Sequence, residues 1–281
     1  MFIGWKKGAY TVLEFAFIRR TLMVGFMLSV MIPLIGVVMV TRKTSMMGDA
    51  LSHSSLAGIG MGLILNIEPM IGAIIICIVS AFAIEGIRRA YPQYGDMATA
   101  VIMSIGLGLA SILSDFSPGG HSFESYLFGS ISSSTRTDLL LVAVMFCIVV
   151  TSSVVNYSGL LSITIDPNLA RLSGVRVQWL NRLFTLLTAI TVALSAKIVG
   201  ALLVTSMIVL PVATALMLGK SYKRVCQISI LLGVFYMMAG LILSFYFDIK
   251  PGGAIVIFVI LGMGVSFLIR HFRKKLPART L

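Results

Sequence analysis

The chain is a succession of nine apolar stretches, at about residues 22–41, 50–67, 70–87, 97–113, 138–155, 179–196, 199–217, 225–246 and 252–270, separated by short polar gaps. A helix needs roughly 20 consecutive apolar residues to cross a bilayer, within a range of about 17–25. Most of the stretches approach that length and some fall short. The spacing therefore predicts an all-α polytopic membrane protein with about 8–9 transmembrane helices, some of them broken or re-entrant. The balance of residues agrees. Only 11 % are charged and 58 % are hydrophobic, whereas a soluble domain carries about 25 % charged residues. The whole of 1–281 reads as one transmembrane domain.

A net charge of +12 could suggest nucleic acid, but the basic residues lie in the gaps, as membrane flanks do. Placing the 156–178 connection in the cytoplasm, with all nine stretches spanning, puts Arg42, Lys43, Arg88, Arg89, Arg171, Arg176, Arg182, Lys220, Lys223, Arg224 and the tail from Arg270 inside. Arg136, Lys197 and Lys250 then fall outside, together with Lys6, Lys7, Arg19 and Arg20. The positive-inside rule favours this frame. Residues 1–20 read as an N-terminal interfacial segment, because 8–18 are too short and too polar to span. Glu14, Arg19 and Arg20 also interrupt any cleavable signal core. Residues 271–281, with His271, read as a basic cytoplasmic tail, and the isolated Cys77, Cys147 and Cys226 as packing residues.

In the run Gly48-Asp49-Ala50-Leu51-Ser52-His53 a carboxylate and an imidazole stand four residues apart, on one face of a helix. An ionisable residue in a membrane segment is a functional candidate by default, and both groups can ligate a divalent transition metal. The residues alone leave a second reading open: Asp49 as the cap of a helix beginning at Ala50, and His53 as a core histidine. His121 and Glu124 lie in the outer polar stretch 114–137. Asp96 reads as a helix cap, Glu85 as the partner of Arg88 or Arg89, and Asp248 as part of an outer turn. Gly200, Thr205, Ser206, Pro211 and Thr214 fall within 199–217, where small and hydroxyl residues around a proline suit a hinged or kinked helix.

The 156–178 connection contains Asp166-Pro167-Asn168-Leu169-Ala170-Arg171-Leu172-Ser173-Gly174. An aspartate followed by proline starts a helix, and Gly174 stops it. A short capped helix between spans suits docking into a groove on a cytoplasmic partner; the residues alone fit an ordinary interfacial loop helix equally well.

The runs GDALSHSSLAG (48–58), YLFGSI (126–131), DPNLARLSGVRV (166–177) and VGALLVTSMIVLPVATA (199–215) together resemble the membrane permease of the manganese/zinc/iron-type bacterial ABC importers, over about residues 20–270. That resemblance implies a homodimer of vitamin- and siderophore-importer-like (type II) architecture in the plasma (inner) membrane. It implies partners too: two cytoplasmic ATP-binding subunits and an extracytoplasmic metal-binding protein. It assigns Asp49 and His53 as ligands of the transported Mn²⁺, Zn²⁺ or Fe²⁺, with no cofactor bound permanently. The region 163–177 matches the coupling helix, with Asp166, Pro167, Leu169, Ala170, Arg171 and Gly174 as its contact residues. Glu124, Gly200, Ser206 and Pro211 are candidate pathway or hinge residues. Where relatives often carry Leu-Pro-Gly this chain has Leu56-Ala57-Gly58, which restores a backbone N–H and predicts a milder kink.

Rival readings fare less well. There is no HExxH for a metalloprotease and no GxxxxGK[ST] for ATP hydrolysis by this chain. A self-sufficient secondary metal transporter or channel would be expected to bury more coupling charges.

Overall fold

The computed structural model describes residues 16–116, 125–130 and 135–275. In chain order its helices are α1 (Ala16–Thr41), α2 (Met46–Ile64), α3 (Pro69–Ala90), α4 (Gly95–Phe116), α5 (Arg136–Val155), α6 (Tyr157–Ile165), α7 (Pro167–Leu172), α8 (Val177–Ala196), α9 (Val204–Leu218), α10 (Tyr222–Phe247) and α11 (Pro251–Lys275). Eight of them are long and apolar enough to cross a membrane. The expected all-α, multi-pass architecture is what forms.

Of the helices outside those eight, α6 and α7 are short and α2 is the long one. It carries Asp49, Ser52, His53, Ser54 and Ser55, yet it is one of the most enclosed helices of the bundle. Two features reconcile polarity with burial. Two of its three serines bond to their own helix, Ser52 Oγ donating to Gly48 O at 2.9 Å and Ser55 Oγ to Ser52 O at 2.6 Å. Glycines then let neighbours approach. A Cβ on Gly58 or on Gly72 would run into the carbonyl oxygen of the other, so α2 and α3 cross backbone to backbone. At the next crossing, a Cβ on Gly106 of α4 would stand 2.8 Å from Ser54 N. With no proline at 57, α2 runs unbroken through Leu56-Ala57-Gly58.

The ends of the bundle sort by charge. At one end the turn after α1 meets the end of α3, where burial lowers the Arg42 pKa, Glu85 raises it and Arg88 lowers it further. Val37, Val212, Ala215 and Val225 pack together there, and the Tyr157 and Tyr222 rings meet edge to face at 5.6 Å. This end gathers the basic gaps, including the α6–α7 connection, and is the cytoplasmic end of the sequence-derived frame.

At the opposite end the backbone of 127–129 is wedged against Ile198–Gly200 and Gly252, with Gly129 and Gly200 at φ 81° and 93°. Only glycine adopts those angles without strain. The interlock explains a departure from expectation. The apolar stretch 199–217 is not one helix but a turn at 197–200, a 3-10 turn Ala201–Leu203 and then α9. Pro211 lies buried inside α9.

Four other boundaries differ. Residues 16–20, read as part of an interfacial segment, form the first turn of α1 with Ile18 buried. The helix carrying Asp49 begins at Met46, so Asp49 sits within its first turn and does not cap a helix starting at Ala50. Asp96 likewise lies inside the first turn of α4. Residues 271–275 of the basic tail continue α11, and the rest of the tail lies outside the described residues.

Candidate functional site

The start of α2 places the candidate ligands. After Thr41 the chain reverses through Lys43 at φ 55°, with Thr44 N donating to Met39 O at 2.8 Å. Over its first fifteen residues the helix that follows shows only a narrow strip, Met46, Asp49 and His53, while Met47, Gly48, Ala50–Ser52 and Ser54–Gly60 are buried; Met61 and Ile64 are exposed at its far end. The strip's spacing of three and four residues sets all three of its members on one face. Asp49 also lies at the helix N-terminus, where the aligned peptide dipoles favour a negative charge.

His53 Nε2 stands 4.0 Å from Asp49 Oδ1, with side-chain exposures of 15 % and 34 %. That is too far for a hydrogen bond. Two ligands of one tetrahedral ion, each about 2.1 Å from it, lie about 3.4 Å apart. The pair is thus open by a few tenths of an ångström beyond what a shared ion needs, within reach of a small rotation. On the other side of the ring, His53 Nδ1 is buried with no hydrogen-bond partner among the described residues. Such a group ordinarily costs about 1–3 kcal/mol, and exceptions of this kind concentrate at functional sites.

A third side chain reaches the pair from α9. Thr205 Oγ1 donates to Asp49 Oδ1 in a long hydrogen bond of 3.4 Å. Gly48 makes room for this approach, since a Cβ there would sit 3.1 Å from Ile208 Cδ1 and 3.8 Å from Thr205 Oγ1. The interlock at Gly200 starts α9 beside α2, and Ser206, next to Thr205, is half-buried. The structure therefore brings Asp49 and His53 together near the α8–α9 break. Glu124 and His121 lie outside the described residues. No group of three or more His, Cys, Asp and Glu side chains able to hold a metal occurs among the described residues.

The α7 segment sits at the cytoplasmic end, across the length of α8. Asp166 Oδ1 accepts from Asn168 N at 2.7 Å and Leu169 N at 3.3 Å, and Pro167 opens the helix. Ala170 is buried with Ile163, Val177 and Leu180, which anchors α7 to α6 and α8. Leu169, Arg171 and Leu172 face outward. Gly174, at φ 82°, has open space around it, so backbone angle and not crowding requires glycine there. A cleft of about 480 Å³ beside it is lined by Arg171, Gly174, Arg176, Trp179 and Arg182, among others.

Sequence reasoning missed one closed pair. Lys197 Nζ donates to Asp138 Oδ2 at 2.6 Å, with side chains only 8 % and 5 % exposed. Asp138 also completes a capping box with Thr135 at the start of α5. Lys197 was placed as an outer-loop charge; the structure buries it at the end of α8. Two signals pointed there: the Thr135-x-x-Asp138 spacing, and a gap of only two residues between the sixth and seventh apolar stretches, too short to carry a lysine into water.

The family described as the ABC 3 transport family matches residues 14–270. The chain belongs to that family. It is 30 % identical over 247 residues to the high-affinity zinc uptake system membrane protein ZnuB of Haemophilus influenzae, covering 86 % of this chain and 94 % of that one. It is 28 % identical over 266 residues to the manganese import system permease protein ScaB of Streptococcus gordonii, covering 93 % and 96 %. Among solved structures, PsaBC from Streptococcus pneumoniae in complex with Fab superposes with a TM-score of 0.85 at 25 % identity, covering 96 % of this chain and 98 % of that one. The chain is a multi-pass permease of the bacterial plasma membrane, a transport subunit of the ABC class.

Proposed function

We propose that this permease moves a divalent transition metal, Mn²⁺, Zn²⁺ or Fe²⁺, inward across the plasma membrane, with Asp49 and His53 as its ligands in the path. One observation carries the reading: a carboxylate and an imidazole, a turn apart, are the polar groups left uncovered on a helix whose residues 47–60 are otherwise buried in protein. Facing lipid, that aspartate would cost about 2.5–3.5 kcal/mol. A water-filled path removes the cost, and a passing cation reverses it.

Two donors per subunit are half of a four-coordinate sphere. A second copy related by a two-fold axis supplies the other half, two oxygens and two nitrogens in all. This set lacks the thiolates of a tight structural zinc site, and transport needs an ion held loosely enough to leave. Two cytoplasmic ATP-binding subunits drive the cycle through α7, whose outward Leu169, Arg171 and Leu172 stand on an anchored base. An extracytoplasmic metal-binding protein delivers the ion at the interlocked end. The zinc and manganese systems to which the chain is similar support the metal assignment.

The test is uptake of radioactive zinc and manganese by cells carrying the complete importer. Asp49→Ala and His53→Ala should each abolish uptake while the permease still co-purifies with its ATP-binding partner. Wild-type uptake in both variants would overturn the ligand assignment.

A further inference from the structure

Hydroxyls inside these helices mostly satisfy themselves. Ser52, Ser195, Thr214 and Ser229 each donate to the carbonyl one turn back on their own helix. Thr205 does otherwise: it lies half-buried in the first turn of α9 and donates across to Asp49 on α2, 156 residues away in sequence. The oxygen it reaches, Oδ1, is the one that faces His53 Nε2. A carboxylate oxygen has two lone pairs. The hydroxyl therefore takes one and leaves the other free toward the imidazole.

We infer that Thr205 is a positioning residue for the transported cation, holding the Asp49 carboxylate so that Oδ1 stays turned toward His53. Partners of this kind, one step removed from an ion, orient its ligands and tune their strength. Without the hydroxyl the carboxylate rotates freely, and the two donors no longer present one gap of fixed width. The position of Thr205 adds a second consequence. Its turn follows the Gly200 break after the single 3-10 turn Ala201–Leu203, so any shift of that turn moves the donor away from Asp49 and loosens the ion. The inference rests on Asp49 being a ligand, as proposed above.

Thr205→Val keeps the branched shape and removes the donor, and Thr205→Ser keeps the donor and removes a methyl group. Concentration dependence of radioactive zinc and manganese uptake by the complete importer separates positioning from packing. For Thr205→Val the expected result is a KM raised about tenfold or more, at the wild-type maximal rate for an equal amount of permease in the membrane. Thr205→Ser should return KM to near the wild-type value. An unchanged KM in Thr205→Val overturns the inference, as does a fall in maximal rate alone or a Thr205→Ser variant as impaired as Thr205→Val. Asp49→Asn is measured in parallel. If it transports like wild type, the ligand reading itself has failed. If it is inactive while Thr205→Val matches wild type, the positioning role alone falls.

Discussion

The permease holds two acid–base pairs that look alike in composition and differ in construction. At the outer end Asp138 and Lys197 meet at 2.6 Å with almost no exposure, and the same carboxylate oxygen also accepts from Thr135 N and Thr135 Oγ1, each at 2.7 Å. On α2, Asp49 and His53 stop 4.0 Å apart, partly exposed, with one imidazole nitrogen unpartnered. The first pair is closed from within the chain, with three hydrogen bonds converging on one carboxylate oxygen. The second is incomplete in every respect that matters to a cation. Burial of charge therefore serves two ends here, and completeness of bonding distinguishes them.

The largest expected effect tests the closed pair. Lys197→Met leaves a buried carboxylate without its counter-charge, which typically costs about 3–5 kcal/mol. Thermal unfolding of the purified protein should fall sharply, and adding Asp138→Asn should recover much of the loss. If Lys197→Met unfolds like wild type, the pair is not the outer lock described. The open pair should behave in reverse. Asp49→Ala and His53→Ala, which end uptake, should destabilise far less than Lys197→Met, because neither leaves a buried charge without its counter-charge.

Gly174→Ala is expected to cost about 1 kcal/mol by forcing a side chain into left-handed backbone. Its stronger signature is functional: stimulation of the ATP-binding partner should drop while the metal concentration at half-maximal uptake stays put. Unaltered stimulation would argue against α7 as the coupling element. The smallest effect belongs to a third pair. Glu85 and Arg89 lie one turn apart on α3 at 2.8 Å, with Arg89 42 % exposed. Arg89→Ala should shift stability by only about 0.3–0.5 kcal/mol, as exposed pairs do.

How far these differences could be read from sequence depends on the range of the forces involved. The α7 segment was fully legible, because a cap, a proline and a stop glycine act within one turn of each other. The spans were legible from length and apolarity. Their ends were not, since the start of α2 at Met46 is set by the packing of Met47 and Gly48 against neighbours and not by hydropathy. The break ahead of α9 was hidden for the same reason. Gly200 takes its angle against Phe128 and Gly129, some seventy positions away. Asp49 and His53 announced themselves as polar groups in an apolar chain, whereas Thr205 looked like any other helix hydroxyl until its direction was known.

The enclosure of α2 has a consequence for how the chain is made. A segment with an aspartate, a histidine and three serines partitions weakly into lipid when it leaves the ribosome on its own. Joined to the strongly apolar α3 by the short 65–68 turn and locked to it at Gly58 and Gly72, it enters the bilayer as one arm of a hairpin. A substitution that spoils that glycine crossing would thus be felt first during biosynthesis, as a helix left stranded at the translocon, before any ion is offered for transport.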